Sequence, residues 1–133
     1  MFKVLLIFLK YIAKFVLLFI VYLVSCATIA KYYYNYNNVE SILFSVLWPF
    51  EQTIRSSDFS DKNFCLVRYG MHLTEVTHLI GEPLLVDIFN QNGLYAIMYN
   101  YTLRTDESPY HRRRIDFNRD FKVIDIDRSF DVD

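Results

Sequence analysis

Apolar and polar positions divide this chain into two unlike parts. Across residues 4–30 almost every side chain is apolar, and Lys10, Lys14 and a few small polar residues are the interruptions. Residues 11–30 alone are long enough to cross a bilayer as a helix, which takes roughly 20 residues. Lys14 can snorkel to the interface. Residues 31–38 (KYYYNYNN) have the aromatic and polar composition of a membrane–water interface or the start of a loop. A second apolar run, residues 41–50 (SILFSVLWPF), is too short to span as a helix, so a two-pass hairpin is not expected. Read as a helix over residues 39–54, it places Ile42, Val46, Phe50 and Ile54 along one side, with Leu43 and Leu47 beside them. Pro49 kinks that helix or ends its first part. Two readings stay open: a helix lying on the bilayer with Trp48 as interfacial anchor, or one packed on the C-terminal domain or a partner. Residues 56–63 (SSDFSDKN) are polar and read as a linker.

The second half changes period. Leu73, Val76 and Ile80 recur at helical spacing, flanked by Met71 and Leu79, between Gly70-Met71 and Gly81-Glu82-Pro83. Gly can take the positive φ that stops a helix, and Pro just beyond forbids its continuation. His72 stands at the N-cap, where it is a poorer cap than Ser or Thr. Before it, residues 64–68 form a short helix or extended segment, with Cys65 expected as a buried, unreactive thiol. Residues 84–89 lead through Asn90-Gln91-Asn92-Gly93, a turn-forming cluster. In residues 94–103, Tyr95, Ile97, Tyr99, Tyr101 and Leu103 share a face opposite Asn100 and Thr102, the alternation of a half-buried strand. Residues 113–118 alternate again, with Ile115 and Phe117 inward. After Asn118-Arg119-Asp120, residues 121–127 return with Ile124 and Ile126 opposite Asp125 and Asp127. Short links between consecutive strands predict an antiparallel meander with helix on one face. The expected fold is α+β: an N-terminal membrane helix, then a short-helix plus three-stranded antiparallel sheet domain, ααβββ. The expected segments are 1–31 (anchor or signal), 32–60 (juxtamembrane) and 61–133 (domain).

With 133 residues there is room for one modest domain, and a net charge of -1 gives no general attraction to nucleic acid. Lys3, Lys10 and Lys14 precede the most apolar stretch and only Lys31 follows it closely, so the positive-inside rule keeps the N-terminus cytoplasmic and exports the C-terminal half. Leu23-Val24-Ser25-Cys26 resembles the lipobox of bacterial lipoproteins, which makes Cys26 a candidate lipid anchor. The alternative is that Cys26 is an ordinary small apolar residue of an uncleaved transmembrane helix. The domain is tethered either way: at the inner membrane by a helix, or at the outer membrane if Cys26 carries lipid.

Chemistry is sparse. His72 and His78 do not stack on one helical face and no carboxylate or Cys completes a metal set with them or with His111. There is no phosphate loop, nucleophile elbow or two-Cys zinc spacing. No catalytic site, cofactor, metal or small-molecule substrate is expected. His111-Arg112-Arg113-Arg114 is the one basic run; a solvated strand start explains it better than a phosphate-binding patch, since Asp106, Glu107 and Asp116 are close in sequence.

The pattern from Arg68 onward resembles the SmpA/OmlA (BamE-like) domain family. It is carried by Arg68, Gly70, Met71, Val76, Gly81, Pro83, Leu84, Asp87 and Phe89, with an aromatic strand behind, over about residues 61–128. The resemblance implies a non-enzymatic envelope protein whose small domain binds a partner protein, in outer-membrane assembly or maintenance. It implies contact with partner subunits and anionic membrane lipid at Leu84, Asp87, Phe89 and Tyr95, of which Leu84 and Phe89 suit the core equally, and for Leu84 the core is the favoured place. The same architecture resembles β-lactamase-inhibitor proteins. An inhibitor or sensor of that kind would carry aromatic residues on the solvent face of its sheet.

Overall fold

The computed structural model describes residues 2–91 and 94–132, with side chains over 7–90 and 95–132. The chain divides into two units, Met1–Trp48 and Pro49–Asp133.

The first unit is helical. Helix α1 (Phe2–Tyr33) contains a stretch, Ile7–Tyr33, whose most apolar 18-residue window has a mean hydropathy of 2.4 and is wholly unburied. It is long and apolar enough to cross a membrane or to serve as a signal sequence. Asn35 takes a left-handed φ of 59°, which Asn tolerates, and the Tyr36 N–H donates to the Ala30 carbonyl at 3.3 Å. Helix α2 (Asn38–Leu47) then starts on a capping box. The Asn37 side chain accepts from the Glu40 N–H, and the Glu40 carboxylate accepts from the Asn37 N–H, both at 2.9 Å. A 3-10 turn, Trp48–Phe50, ends the helix around Pro49. The expected helix over 39–54 therefore stops early, and Ile54 belongs to a strand.

The second unit is α+β. It runs β1 (Thr53–Arg55), α3 (Asp61–Phe64), α4 (Leu73–Ile80), β2 (Leu85–Gln91), β3 (Leu94–Asn100), β4 (Thr102–Arg104), β5 (Tyr110–His111), β6 (Arg114–Phe117), β7 (Val123–Asp127) and β8 (Phe130–Asp131). The main sheet is an antiparallel meander of order β2-β3-β6-β7, and β1-β4 and β5-β8 form two small sheets. The main sheet thus has four strands, where three were expected. The lead-in Leu85–Gln91 is itself a strand, paired with β3 from Leu85↔Asn100 to Gln91↔Leu94. Asn92 and Gly93 of the expected turn lie outside the described residues. The unit also begins before residue 61. Strand β1 pairs with β4, and buried Ser56 donates its N–H to the Tyr101 carbonyl at 3.1 Å, so residues 56–63 are folded and not a free linker.

Alternation sets the core. Ile97, Ile115, Phe117 and Val123 of the sheet pack on Phe64, Val67, Val76 and Ile80 of the helical layer. The 94–103 strand expected as continuous breaks at Tyr101, whose N–H turns to the Arg113 carbonyl at 2.9 Å. The buried Tyr101 ring wedges between Phe59 and Phe64, and burial pushes its phenol pKa up. A β-bulge between β6 and β7 changes the last expectation. Ile126 stays inward opposite Ile115, Val123 pairs with Phe117, and the extra residue, Ile124, is pushed out to solvent.

His72 caps α4 better than its residue type suggests. Its Nδ1 accepts from the Thr74 N–H at 3.3 Å, and the Glu75 carboxylate accepts from the His72 N–H at 2.7 Å, a complete capping box. Gly81 closes α4 at φ 82° and ψ -169°, a region open essentially to glycine, and a Cβ there would lie 2.8 Å from the Asp58 Cβ. Gly70 has a similar φ of +81° but open space around it. Gly81→Ala is expected to destabilise the fold by about 2–3 kcal/mol and Gly70→Ala by about 1 kcal/mol. Urea unfolding of the full chain in mild detergent checks the order.

Candidate functional site

The basic run is a solvated strand start only in part: Arg112 and Arg114 are half-exposed, whereas His111 and Arg113 are buried. Each of its arginines meets aspartate. Arg112 pairs with Asp131 and lies 3.8 Å from Asp127, and Arg114 pairs with Asp116 at 3.0 Å and Asp125 at 4.0 Å. Arg113, with 2% of its surface exposed, is among the largest fully buried side chains. Its Nε donates to Asp61 at 2.7 Å and its Nη1 to the carbonyls of Arg112 and Arg128 at 2.7 and 3.1 Å, while its guanidinium and that of Arg128 flank the Phe64 ring. These cations join strand ends to α3. They leave no cluster of available positive charge for a phosphate.

His111 is buried as well, at 1% exposure. Its ring packs on Phe130, and Nε2 lies 3.9 Å from the Glu51 carboxylate. Burial first, then the charges of Arg113 and Arg55, push its imidazole from 6.5 down to about 3. The native state therefore refuses a proton that the unfolded chain takes up below pH 6.5. Stability from this group is complete above that pH and is lost as pH falls toward about 3. Asp116 works in the opposite sense, because burial raises its carboxyl and the native state holds that proton more tightly. From pH 7 to pH 5 the His111 contribution costs about 2 kcal/mol. His111→Phe is expected to flatten that slope in urea midpoints measured against pH.

Among the described residues, the β2 edge is a continuous exposed apolar surface of the domain. Described side chains from Leu84 to Asn90 are all exposed, including Leu84, Leu85, Val86, Phe89 and, at 66%, Ile88. Neither Leu84 nor Phe89 is therefore core. Register assigns the faces, since paired residues share a side. Val86 and Ile88, opposite Tyr99 and Ile97, lie on the helix side, where the helical layer covers β3, β6 and β7 and leaves β2 bare. Leu85, Asp87 and Phe89 lie on the other side, where Asn100 donates to Asp87 at 3.0 Å. Tyr95 is on the helix side, half-buried, with the Arg119 guanidinium 5.6 Å from its ring centroid. Asp87 and Phe89 thus share a face, and Tyr95 does not join them. The opposite edge, β7, is of another kind. It carries the bulge, Asp125 and Asp127, devices that blunt an edge against pairing. Strand β2 is regular over seven residues and has Asp87 as its one charge.

Cys26 is half-buried on α1, and both Cys26 and Cys65 are free thiols, Cys65 half-buried where full burial was expected. Among the described residues no group of three or more His, Cys, Asp or Glu is placed to hold a metal ion. The concavity at residues 104–108 is an open loop surface. No protein family model matches this chain, and no curated protein matches it.

Proposed function

We propose that this is a non-enzymatic, membrane-tethered envelope protein whose small domain binds a partner protein by accepting a strand at the β2 edge. The observation that carries the reading is that edge: seven residues in unbroken register, apolar on both faces, uncovered, in a sheet whose other edge is bulged and charged. Strand addition supplies main-chain hydrogen bonds for affinity and side-chain contacts for selectivity. The row Leu85, Asp87, Phe89 would meet the partner on one face and Val86, Ile88 on the other.

The tether is α1, with the N-terminus cytoplasmic and the domain exported. In the ααβββ reading the helices α3 and α4 and the strands β3, β6 and β7 form the SmpA/OmlA-like core, with β2 added at its edge. That likeness favours a role in outer-membrane assembly or maintenance. If Cys26 is processed the protein is an outer-membrane lipoprotein, and intact mass of the mature chain distinguishes that from a full-length anchor. An inhibitor or sensor would need the tyrosines of the central strand on the free face. Tyr95 and Tyr99 lie on the helix side and Tyr101 is buried, so no observation favours that reading.

Purification of the full chain from envelope membranes in mild detergent is expected to retain a distinct envelope protein in fixed ratio. Recovery of the chain alone in several detergents, or as a dimer of itself, contradicts a separate partner.

A further inference from the structure

We propose that the strand accepted at the β2 edge belongs to a basic partner: an extended segment whose Lys or Arg meets Asp87, with apolar side chains on either side of it. The inference rests on the reading of β2 as an accepting edge and deepens it, because it names the chemistry of what is accepted.

The first observation is the direction of the backbone. The Leu84 N–H donates to the Asn100 carbonyl at 2.8 Å, so Asn100 turns its main-chain groups toward β2. Tyr101 turns its own the other way, donating to the Arg113 carbonyl at 2.9 Å. Successive residues of a strand alternate in this, so Met98 and Ala96 also face β2. Their partners Asp87 and Phe89, and Leu85 opposite Asn100, therefore spend their N–H and C=O groups inside the sheet. Val86, Ile88 and Asn90 point theirs at the open edge. An antiparallel guest strand bonds to those three, which makes Asp87 and Phe89 the non-hydrogen-bonded sites. Facing Cα atoms are about 4.5 Å apart at such sites, and side chains meet there most closely.

The second observation is charge. No Lys or Arg occurs between Arg68 and Arg104, and the acids of that stretch are Glu75, Glu82 and Asp87. The stretch contains α4, β2 and β3, so the edge and its neighbouring elements are acidic in a chain of net charge -1. Asp61, Asp116, Asp125, Asp127 and Asp131 of the same domain each lie against an arginine. Among the described residues Asp87 has no such partner. The neutral Asn100 amide donates to its Oδ2 at 3.0 Å, which aims the carboxylate without discharging it. Arg119, 5.6 Å from the Tyr95 ring centroid, meets the sheet at the Asn90 end of the edge.

The third observation is what surrounds that charge. Leu85 and Phe89 flank Asp87 on its own face, Val86 and Ile88 occupy the other, and all four are exposed. A wholly apolar guest would desolvate the carboxylate and leave it unpaired. A wholly polar one would leave the four apolar side chains wet. A Lys or Arg whose alkyl stem lies along Leu85 and Phe89, set between apolar residues, satisfies both. The same acidic field speeds the approach of a basic segment and disfavours an acidic one.

The probes are the capped peptide acetyl-Thr-Thr-Val-Lys-Val-Thr-Thr-amide and its twin with Glu at the centre. Each is titrated onto the full chain in mild detergent at about 20 mM salt, and amide exchange along β2 is followed. The Lys peptide is expected to bind at least about fivefold more tightly than the Glu peptide, with the gap closing at high salt. Exchange at Val86, Ile88 and Asn90 should slow, and Asp87→Lys should reverse the order of the two peptides. Equal affinities, a preference for Glu, or a preference for Lys that survives Asp87→Lys overturns the basic partner, while slowed β2 amides keep strand addition standing. Exchange along β2 unchanged by both peptides overturns strand addition itself.

Discussion

Asp61→Ala should lower the unfolding free energy by about 3–5 kcal/mol, because it removes a carboxylate 2.7 Å from the buried Arg113 guanidinium. The pair is unequal in exposure: the Arg113 side chain is 2% accessible and that of Asp61 14%. Losing the acid leaves a charge that cannot reach water without opening β5, β6 and α3, while the carbonyls of Arg112 and Arg128 offset part of the cost. Asp61→Asn keeps an acceptor and should lose about 1.5–3 kcal/mol. The double variant Asp61→Leu/Arg113→Met, which exchanges the ion pair for apolar volume, should recover most of the loss, since a buried ion pair costs nearly as much to desolvate as it returns. Urea midpoints of the full chain in mild detergent give all three values. A change under about 0.5 kcal/mol for Asp61→Ala would mean that Arg113 is not held as described.

The second large effect falls on binding and leaves stability alone. Ile88→Lys puts an ammonium at the centre of the exposed β2 edge, the device by which natural sheets refuse an added strand. Ile88 is already 66% exposed, so the fold should change by less than about 0.5 kcal/mol. Partner retention should fall at least about 30-fold, the effect of removing a hot spot worth roughly 2 kcal/mol. Ile124→Lys on the bulged β7 edge is the matched control, because Ile124 is also exposed and should leave retention unchanged. Equal loss in both variants would point to general surface charge and not to strand addition.

Much of the fold is legible in the chain itself. Helix α4 and strands β3 and β6 were readable because each buries every second, or every third and fourth, residue, and burial leaves that period in the sequence. Strand β2 was not, because an edge strand bare on both faces has no reason to alternate, and LLVDIF reads as an undirected apolar run. Strands β1, β5 and β8, with three, two and two residues, exist only by virtue of partners far along the chain. Arg113 misled for a related reason. A charge beside two other charges reads as surface, and its burial follows from Asp61, distant in sequence but 2.7 Å away in space. The displacement of Ile124 by a bulge, and the Nδ1 cap at His72, depend on backbone geometry that residue type alone does not encode. The proposed edge inherits the same limit: the family resemblance pointed to Asp87 and Phe89 as expectations, whereas Val86 and Ile88 came into view once register assigned them to the side the helices leave bare.

Amide hydrogen exchange on Leu85–Asn90, in the chain purified with its partner and in the chain alone, is the most direct test of strand addition. In an antiparallel or parallel pair only alternate N–H groups point to the open edge. The account predicts that alternate amides along β2 slow markedly in the complex while β7 is unchanged. Unaltered exchange along β2 with the partner still bound would contradict it.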